Sequence, residues 1–320
     1  MSGFRIVLAS PRGFCAGVER AIETVKKAIH DHGSPVYVLH EIVHNRHVLN
    51  ELEDLGAIFV ERLQKIPRGA ICIFSAHGVS VAIEQQAKTL GLRTIDATCP
   101  LVSSVHRMVE KYYAEGYDVL LIGHHRHPEV EGTAGRVPDR VQVVASQTEA
   151  MAIEITNPER VAFVTQTTLC RDDISTIHSI LLRRFPGLRG PKSNICFATE
   201  NRQNAVRVLA REAAIILVVG SKNSSNSNRL REVALTAGAR AYLIDAREDI
   251  QPQWLKGLEV IGITAGASAP ERLVQGVVEC LREQGAGEVV EMAGMIETVH
   301  FRAASLQHGE IPRRQDDSEA

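Results

Sequence analysis

Residues 6–17 read Ile6-Val7-Leu8-Ala9-Ser10-Pro11-Arg12-Gly13-Phe14-Cys15-Ala16-Gly17. The first four residues form a compact apolar run, which predicts a buried strand. After the turn, apolar residues recur with helical spacing at Val18, Ala21, Ile22, Val25 and Ile29. Cys15 is therefore expected in a tight strand-to-helix turn, and the flanking glycines allow the backbone to approach another group closely.

The Cys15 thiol has two interpretations at this stage. Arg12 and the start of a helix are its neighbours in sequence, and both features favour a reactive thiolate. Alternatively, Cys15 is a small apolar residue that only fills the turn. This stretch alone does not decide between them.

Composition limits the classes of protein to consider. The chain has 320 residues, enough for two or three domains, and 44% of them are hydrophobic. Only 4% are aromatic, so small aliphatic side chains must supply most of the packing, as in layered α/β proteins. The formal net charge of −2 gives no reason to expect nucleic-acid binding.

Neither a membrane nor an oxidising compartment is indicated. No apolar run approaches the ~18 residues of a membrane span, and the N-terminus enters a strand without the pattern of a signal peptide. The six cysteines include no Cys-x-x-Cys pair and do not suggest a disulfide framework. We therefore expect a cytoplasmic protein with no membrane partner.

Strand and helix patterns alternate along most of the chain, which predicts parallel sheets flanked by helices. The candidate strands are residues 6–9, 36–39, 57–60, 70–74, 94–96, 119–122, 141–144, 161–164, 215–219, 241–244 and 260–264. They divide the chain into three α/β domains, at residues 1–98, 99–195 and 196–293. Residues 294–320 are predicted to form a C-terminal strand near Glu297 and then a polar tail. Residues 313–320 are expected to be disordered.

Similar polar loops follow one strand in each of the three segments, at residues 74–78, 122–129 and 219–226. Ligands of open α/β sheets gather beyond the carboxyl ends of the strands. The three loops therefore suggest three small domains that face a shared centre.

Three cysteines lie near the start of the three segments, at a strand end or in a turn: Cys15, Cys99 and Cys196. Three thiolates that converge from three domains could hold zinc or an iron–sulfur cluster, and their spacing does not distinguish the two.

The other three cysteines have a different context. Cys72 lies inside an apolar strand pattern, and Cys280 lies on the core stripe of a helix, so both are expected in the core. Cys170 follows Thr167-Thr168-Leu169 and receives no assignment.

Three histidines, His44, His77 and His127, recur at the starts of loops or helices. A single such histidine is more often structural than a ligand, but three in equivalent positions favour a shared role. Ser224-Ser225-Asn226 and residues 265–270 each open a predicted helix, where hydroxyl, amide and backbone N–H groups suit phosphate oxygens. Ordinary N-capping is the alternative.

Glu129 lies two residues after His127, and a carboxyl group beside a bound anion would hold its proton and could donate it. The alternative is an acidic residue favoured by the helix dipole. Thr165-Gln166-Thr167-Thr168 could bring hydroxyls to the same centre. Nucleotide binding has no support, since neither a Walker A loop nor a Gly-x-Gly-x-x-Gly fingerprint is present.

Taken together, these stretches resemble the LytB family of 4-hydroxy-3-methylbut-2-enyl diphosphate reductases, which act last in the non-mevalonate isoprenoid pathway. The matching motifs are residues 11–17, 40–45, 74–80, 96–100, 127–132, 165–169, 220–230 and 264–270. Residues 193–198 match more loosely but place Cys196 where the family has its third cluster cysteine. The C-terminal tail falls outside the match.

The resemblance implies a pseudo-threefold trefoil of three α/β domains around one [4Fe–4S] cluster per chain. It implies that Cys15, Cys99 and Cys196 bind three irons, which leaves the fourth iron open to the substrate's hydroxyl. It assigns proton delivery to Glu129 and Thr167. The implied diphosphate ligands are His44, His77, His127, Thr167, Ser224, Ser225, Asn226 and Ser268.

The implied reaction is a reductive dehydroxylation to isopentenyl and dimethylallyl diphosphate, with electrons from a flavodoxin or ferredoxin. Two other functions are considered from the residues alone. One is a zinc hydrolase acting on a phosphorylated metabolite, which would be colourless where a cluster protein is brown. The other is a regulatory metal-binding or RNA-binding module, against which the near-zero net charge weighs.

Overall fold

The structure is a computed structural model that describes residues 3–306, and these contain twelve strands and ten α-helices. The strands are β1 Arg5–Leu8, β2 Val36–Leu39, β3 Ala57–Val60, β4 Ile71–Phe74, β5 Arg93–Asp96, β6 Asp118–Ile122, β7 Val141–Val144, β8 Val161–Thr165, β9 Ile215–Val219, β10 Arg240–Ile244, β11 Val260–Ala265 and β12 Val289–Glu291. The helices are α1 Ala16–His32, α2 Arg46–Asp54, α3 Val81–Thr89, α4 Pro100–Ala114, α5 Pro128–Ala134, α6 Gln147–Ala152, α7 Arg171–Arg184, α8 Phe197–Leu209, α9 Ser225–Thr236 and α10 Glu271–Glu283. Short 3-10 helices cover Leu63–Lys65, Arg247–Asp249 and Pro252–Leu255.

The strands form three separate sheets, and every strand pair within them is parallel. The strand orders are β3-β2-β4-β5, β7-β6-β8 and β10-β9-β11-β1-β12. The predicted fold class of three small parallel-sheet α/β units is therefore confirmed. The division of the chain at residues 98, 195 and 293 remains a prediction.

The structure adds the partners of the first strand and corrects the position of the C-terminal strand. The first strand belongs to the third sheet, because Ile6 pairs with Ile261 on one side and with Val289 on the other. An apolar run predicts a strand, but its partners depend on contacts distant in sequence. The C-terminal strand is Val289–Glu291, whereas Glu297 lies outside any strand. The predicted disorder of residues 313–320 concerns residues outside the described part of the chain.

The cores are built mainly from aliphatic side chains, as the scarcity of aromatic residues predicts. The central strands β6 and β9 are buried at all five positions each. A strand covered by helices on both faces is apolar throughout, which explains the continuous apolar runs in the sequence. None of the helices in residues 3–306 is long and apolar enough to cross a membrane.

After β12, residues 292–306 contain neither helix nor strand and cross between two of the units. The Met292 N–H donates to the Leu8 carbonyl at 2.9 Å in the third sheet. The Ala304 N–H donates to Thr24 Oγ1 on α1 at 2.9 Å, and Leu306 packs against the core around β2. We call residues 292–306 the C-terminal segment.

Candidate functional site

The three predicted cluster cysteines occupy the same structural position in three places. Cys15 is the N-cap of α1, Cys99 the N-cap of α4 and Cys196 the N-cap of α8. Their N–H groups donate to carbonyls of distant loops, Cys15 to Ala267 at 3.2 Å, Cys99 to Ala76 at 3.0 Å and Cys196 to Thr167 at 3.1 Å. Each cysteine is thus tied to a loop that also carries predicted diphosphate ligands.

One cavity of about 110 Å³ brings all the predicted site residues together. Its lining includes Cys15, Cys99, Cys196, His44, His77, His127, Glu129, Thr167, Ser224, Ser225, Asn226 and Ser268. These residues come from loops at the carboxyl ends of strands in all three sheets, where α/β proteins bind their ligands. The expectation of a shared centre is confirmed, whereas the individual roles remain predictions.

The position of Cys99 explains why residue 17, two positions after Cys15, is a glycine. A Cβ atom at Gly17 would lie 2.6 Å from Cys99 Sγ and 3.9 Å from Cys15 Sγ. Side chains essentially never approach as closely as the first distance, so only glycine leaves room for the Cys99 sulfur. The first turn of α1 therefore forms part of the cradle for two of the three sulfurs.

The cysteines are held in an apolar environment. Burial raises the pKa of the Cys99 thiol to about 11, and the neighbouring Cys15 adds to the effect. Burial likewise raises the pKa of Cys196 to about 12, with further contributions from Cys15 and Cys99. A metal that binds these sulfurs must displace their protons.

Arg12, three residues before Cys15, is held by two acidic side chains and a backbone carbonyl. Its guanidinium donates to Glu271 Oε1 at 2.8 Å, to Glu291 Oε1 at 3.0 Å and to the Ala9 carbonyl at 2.9 Å. Its charge therefore serves an ion-pair network between the Pro-containing turn, α10 and β12.

The three histidines form a compact cluster. The ring centroids of His44 and His77 are 4.3 Å apart, and each is 5.8 Å from that of His127. Burial, followed by repulsion from the neighbouring histidines, lowers the pKa of His77 well below its usual value and that of His127 to about 4. Both rings are therefore neutral near pH 7 in this structure.

Two buried nitrogen atoms in the cavity have no hydrogen-bond partner within the described chain: His44 Nε2 and Asn226 Nδ2. The opposite side of each group is fixed, because His44 Nδ1 contacts Glu41 Oε2 at 2.7 Å and Asn226 Oδ1 accepts the Ala267 N–H at 2.9 Å. Buried polar groups are rarely left unpaired, so these two positions fit a polar ligand. The Asn226 amide nitrogen is a donor, whereas His44 Nε2 donates only when both nitrogens of its ring carry protons.

The hydroxyl residues lie where the sequence predicts helix starts. Ser224 is the N-cap of α9, and its Oγ accepts the Ser227 N–H at 3.3 Å. Ser225 Oγ lies 2.9 Å from Thr168 Oγ1, so the start of α9 contacts the loop that follows β8. Ser268 Oγ donates to the His44 carbonyl at 2.9 Å. Capping and ligand binding are thus compatible at this site.

Glu129 and Thr167 form a buried pair in the same cavity. The Thr167 N–H donates to Glu129 Oε1 at 2.6 Å, and its hydroxyl donates to Oε2 at 2.9 Å. Burial raises the pKa of the Glu129 carboxyl to about 7, although both hydrogen bonds act in the opposite direction. Glu129 is therefore an acid with a pKa suited to proton transfer near neutral pH.

Sequence reasoning missed two residues near the site. Thr199 lines the cavity, and its N–H donates to Cys196 Sγ at 3.4 Å, a contact that its position three residues after an N-cap could have indicated. Arg202, six residues after Cys196, is 1% exposed and donates to the carbonyls of Gly13 and Phe14. No local pattern in the sequence indicates the contact between Arg202 and the turn before Cys15.

The remaining cysteines lie away from the cavity. Cys72 lies on β4 and is fully buried in the core, as predicted. Cys280 is partly buried against the core beneath α10. Cys170 is the N-cap of α7 and packs in the core between α8 and α9. Within residues 3–306, no three His, Cys, Asp or Glu side chains are grouped closely enough to hold a single metal ion.

The family model described as LytB protein matches residues 6–282. The chain belongs to the LytB family. The 4-hydroxy-3-methylbut-2-enyl diphosphate reductase of Desulfotalea psychrophila is 68% identical over 301 residues, covering 94% of this chain and 96% of that protein. The reductase of the same name from Bordetella pertussis is 54% identical, covering 92% and 91%.

Solved structures of the LytB family share the fold. The E-1-hydroxy-2-methyl-but-2-enyl-4-diphosphate reductase of Plasmodium falciparum superposes with a TM-score of 0.87 at 37% identity, covering 92% of this chain and 94% of that chain. A second structure is described as (E)-4-hydroxy-3-methyl-but-2-enyl diphosphate reductase, the terminal enzyme of the non-mevalonate pathway. Its TM-score is 0.63 at 33% identity, covering 88% and 99%.

Proposed function

We propose that this protein is a 4-hydroxy-3-methylbut-2-enyl diphosphate reductase, which converts its substrate to isopentenyl and dimethylallyl diphosphate. The relatives that carry this name match more than nine-tenths of the chain. The observation that carries the proposal is the single cavity in which three thiols, three histidines and a buried acid meet. In a reductive dehydroxylation of a diphosphate, thiolates would hold the electron carrier, histidines would bind the anion and the acid would supply a proton.

Cys15, Cys99 and Cys196 would hold one [4Fe–4S] cluster per chain, with no fourth protein ligand. The common N-cap position of the three cysteines supports this assignment, as does the space that Gly17 leaves beside Cys99 Sγ. Thiolates are the usual ligands of iron–sulfur clusters. When bound, the cluster supplies electrons one at a time and a Lewis-acidic iron.

The diphosphate would bind opposite the cysteines. Asn226 Nδ2 is a buried donor without a partner in the described chain, and it suits an oxygen atom of the anion. His44 Nε2, also unpartnered, would donate to a second oxygen when both ring nitrogens carry protons, because Nδ1 faces the Glu41 carboxylate. His77, His127, Thr167, Ser224, Ser225 and Ser268 complete the set of side chains around the anion. The start of α9 adds the partial positive charge of a helix N-terminus.

Glu129 would supply the proton that the departing hydroxyl needs. Its buried carboxyl is partly protonated near pH 7, and it lies in the same cavity as the diphosphate ligands. The Thr167 hydroxyl, at 2.9 Å from Glu129 Oε2, would pass this proton on or fix the orientation of the carboxyl group. Val18, Val43 and Val102 also line the cavity and would exclude water from the reacting carbon.

A flavodoxin or ferredoxin would deliver the electrons, and the protein would act in the cytoplasm without nucleic acid or a membrane. Six free cysteines among the described residues suit a reducing compartment.

The decisive experiment is turnover under anaerobic conditions with a reduced one-electron carrier and 4-hydroxy-3-methylbut-2-enyl diphosphate. We expect a brown protein that releases both isoprenoid diphosphates. Asn226→Ala should raise KM for the substrate without bleaching the protein, because it removes a donor and leaves the thiols intact. A colourless zinc protein that hydrolyses phosphate esters would contradict the proposal.

A further inference from the structure

Arg202 is the largest fully buried side chain among the described residues. It lies on α8, and its guanidinium reaches the turn that precedes α1, nearly 190 residues away in sequence. Nε donates to the Gly13 carbonyl at 2.9 Å and Nη2 to the Phe14 carbonyl at 2.8 Å. These two peptide groups lead directly into Cys15.

The N–H groups of the turn are held by the third unit, since Gly13 donates to the Ala265 carbonyl at 3.1 Å and Cys15 to the Ala267 carbonyl at 3.2 Å. Gly13 has a φ of +67°, a conformation that costs other residues energy. The carbonyls of Gly13 and Phe14 precede the N-cap, where a helix offers no backbone partner. Arg202 therefore holds the polypeptide that sets the position of the Cys15 sulfur.

Glu297 of the C-terminal segment neutralises this buried guanidinium. Its two carboxylate oxygens lie 3.0 and 3.1 Å from Arg202 Nη1, and Asn201 Nδ2 donates to Oε1 at 3.0 Å. The segment is fixed on both sides of Glu297 by the backbone hydrogen bonds of Met292 and Ala304. A buried charge that loses its partner is strongly unfavourable, so Arg202 depends on Glu297 to keep its orientation.

We propose that Glu297, acting through Arg202, is a positioning residue for Cys15, and that the C-terminal segment therefore supports the cluster-binding site from outside the cavity. This inference rests on the proposed function only in assuming that Cys15 is a cluster ligand. The linkage joins the helix of one cysteine, Cys196, to the turn of another. It thereby fixes two of the three ligands relative to each other.

The first measurement uses the protein without its cluster. Each cysteine is alkylated with iodoacetamide under reducing conditions, and its rate is followed by peptide mass spectrometry. In Glu297→Gln the rate at Cys15 should rise several-fold, whereas the rates at Cys99 and Cys196 should stay as in the wild-type protein. Arg202→Lys keeps the buried charge but loses the planar fork, and it should give the same pattern.

Glu110→Gln is the matched control, because Glu110 Oε1 pairs at 2.8 Å with another largely buried arginine, Arg136. This pair lies among α3, α4 and α5 and does not touch the Cys15 turn. Its loss should leave alkylation of Cys15 unchanged. Thermal unfolding of each variant checks that the fold is intact.

The second measurement uses the loaded protein. Glu297→Gln should lose iron to a chelator about tenfold faster or more, the range in which loss of an outer partner weakens metal binding. Equal increases at all three cysteines, or an unchanged rate at Cys15, would overturn the positioning role. A wild-type protein that takes up no iron would instead contradict the proposed function, since the alkylation rates are measured without iron.

Discussion

Both oxygens of the Glu129 carboxyl group accept hydrogen bonds from the same residue, Thr167, at 2.6 and 2.9 Å. The Thr167 carbonyl in turn accepts the N–H of Cys196 at 3.1 Å. One residue thus connects the buried acid to a predicted cluster ligand. A displacement of Thr167 would therefore move both the Glu129 carboxyl group and the backbone of Cys196.

Glu129→Gln should retain its colour and bind substrate but turn over about a hundredfold more slowly, because general acids contribute roughly 10²–10⁴-fold. That loss corresponds to about 3 kcal/mol in activation free energy. Steady-state kinetics with an artificial one-electron donor, alongside the absorption spectrum, provide the measurement. Turnover close to that of the wild-type protein would remove Glu129 from the mechanism.

The same residue predicts a pH dependence. Burial raises the pKa of Glu129 to about 7, so the protonated donor is depleted as the pH rises through that value. The wild-type kcat should fall tenfold per pH unit on the alkaline side, and Glu129→Gln should lack this limb. An identical alkaline limb in the variant would assign it to another group.

Thr167→Val removes the hydroxyl but keeps the shape and the backbone N–H. The hydroxyl's hydrogen bond lowers the pKa of Glu129 against the effect of burial, so its loss should raise that pKa further. The alkaline limb of kcat should move to higher pH, and kcat at its plateau should fall. A lower kcat with the limb in its original place would indicate that Thr167 affects only the geometry of the site.

Replacement of single cysteines tests the ligand assignment. Serine at Cys15, Cys99 or Cys196 should reduce the iron content and abolish most activity, since each loss removes a thiolate from a buried site. Cys72→Ser and Cys280→Ser should remain brown, because these residues lie in or against the cores. Iron and sulfide counts would show the assignment to be wrong if Cys196→Ser kept its cluster and Cys72→Ser lost it.

Gly17→Ala tests the cradle beside the cysteines. Alanine normally stabilises a helix by about 1 kcal/mol relative to glycine, but here its Cβ would lie 2.6 Å from Cys99 Sγ. We expect faster loss of iron to a chelator and lower activity.

The matched control is Gly276→Ala on α10, where the only heavy atom within 4 Å of the new Cβ would be Arg247 Cδ at 3.9 Å. It should bind iron as the wild-type protein does and unfold at a similar or higher temperature. Wild-type iron retention in Gly17→Ala would show that the space beside Cys99 is not needed.

Local patterns predict most of the elements and several of their ends. The predicted strands at residues 36–39, 57–60, 141–144 and 215–219 coincide with β2, β3, β7 and β9. Residues 224–226 open α9 as predicted, and Ser224 is its N-cap, the alternative that the sequence left open. The motifs also indicate the cysteines, the histidines and most of the polar residues of the candidate site, but not Thr199, which lines the same cavity.

Only the tertiary structure decides which distant groups meet. The first strand pairs with β11 and β12, Glu297 reaches Arg202, and His44 lies 4.3 Å from His77. The sequence determines local conformation because apolar spacing and capping act over a few residues. Strand partners and buried ion pairs depend instead on how three sheets pack against one another, which no short stretch specifies.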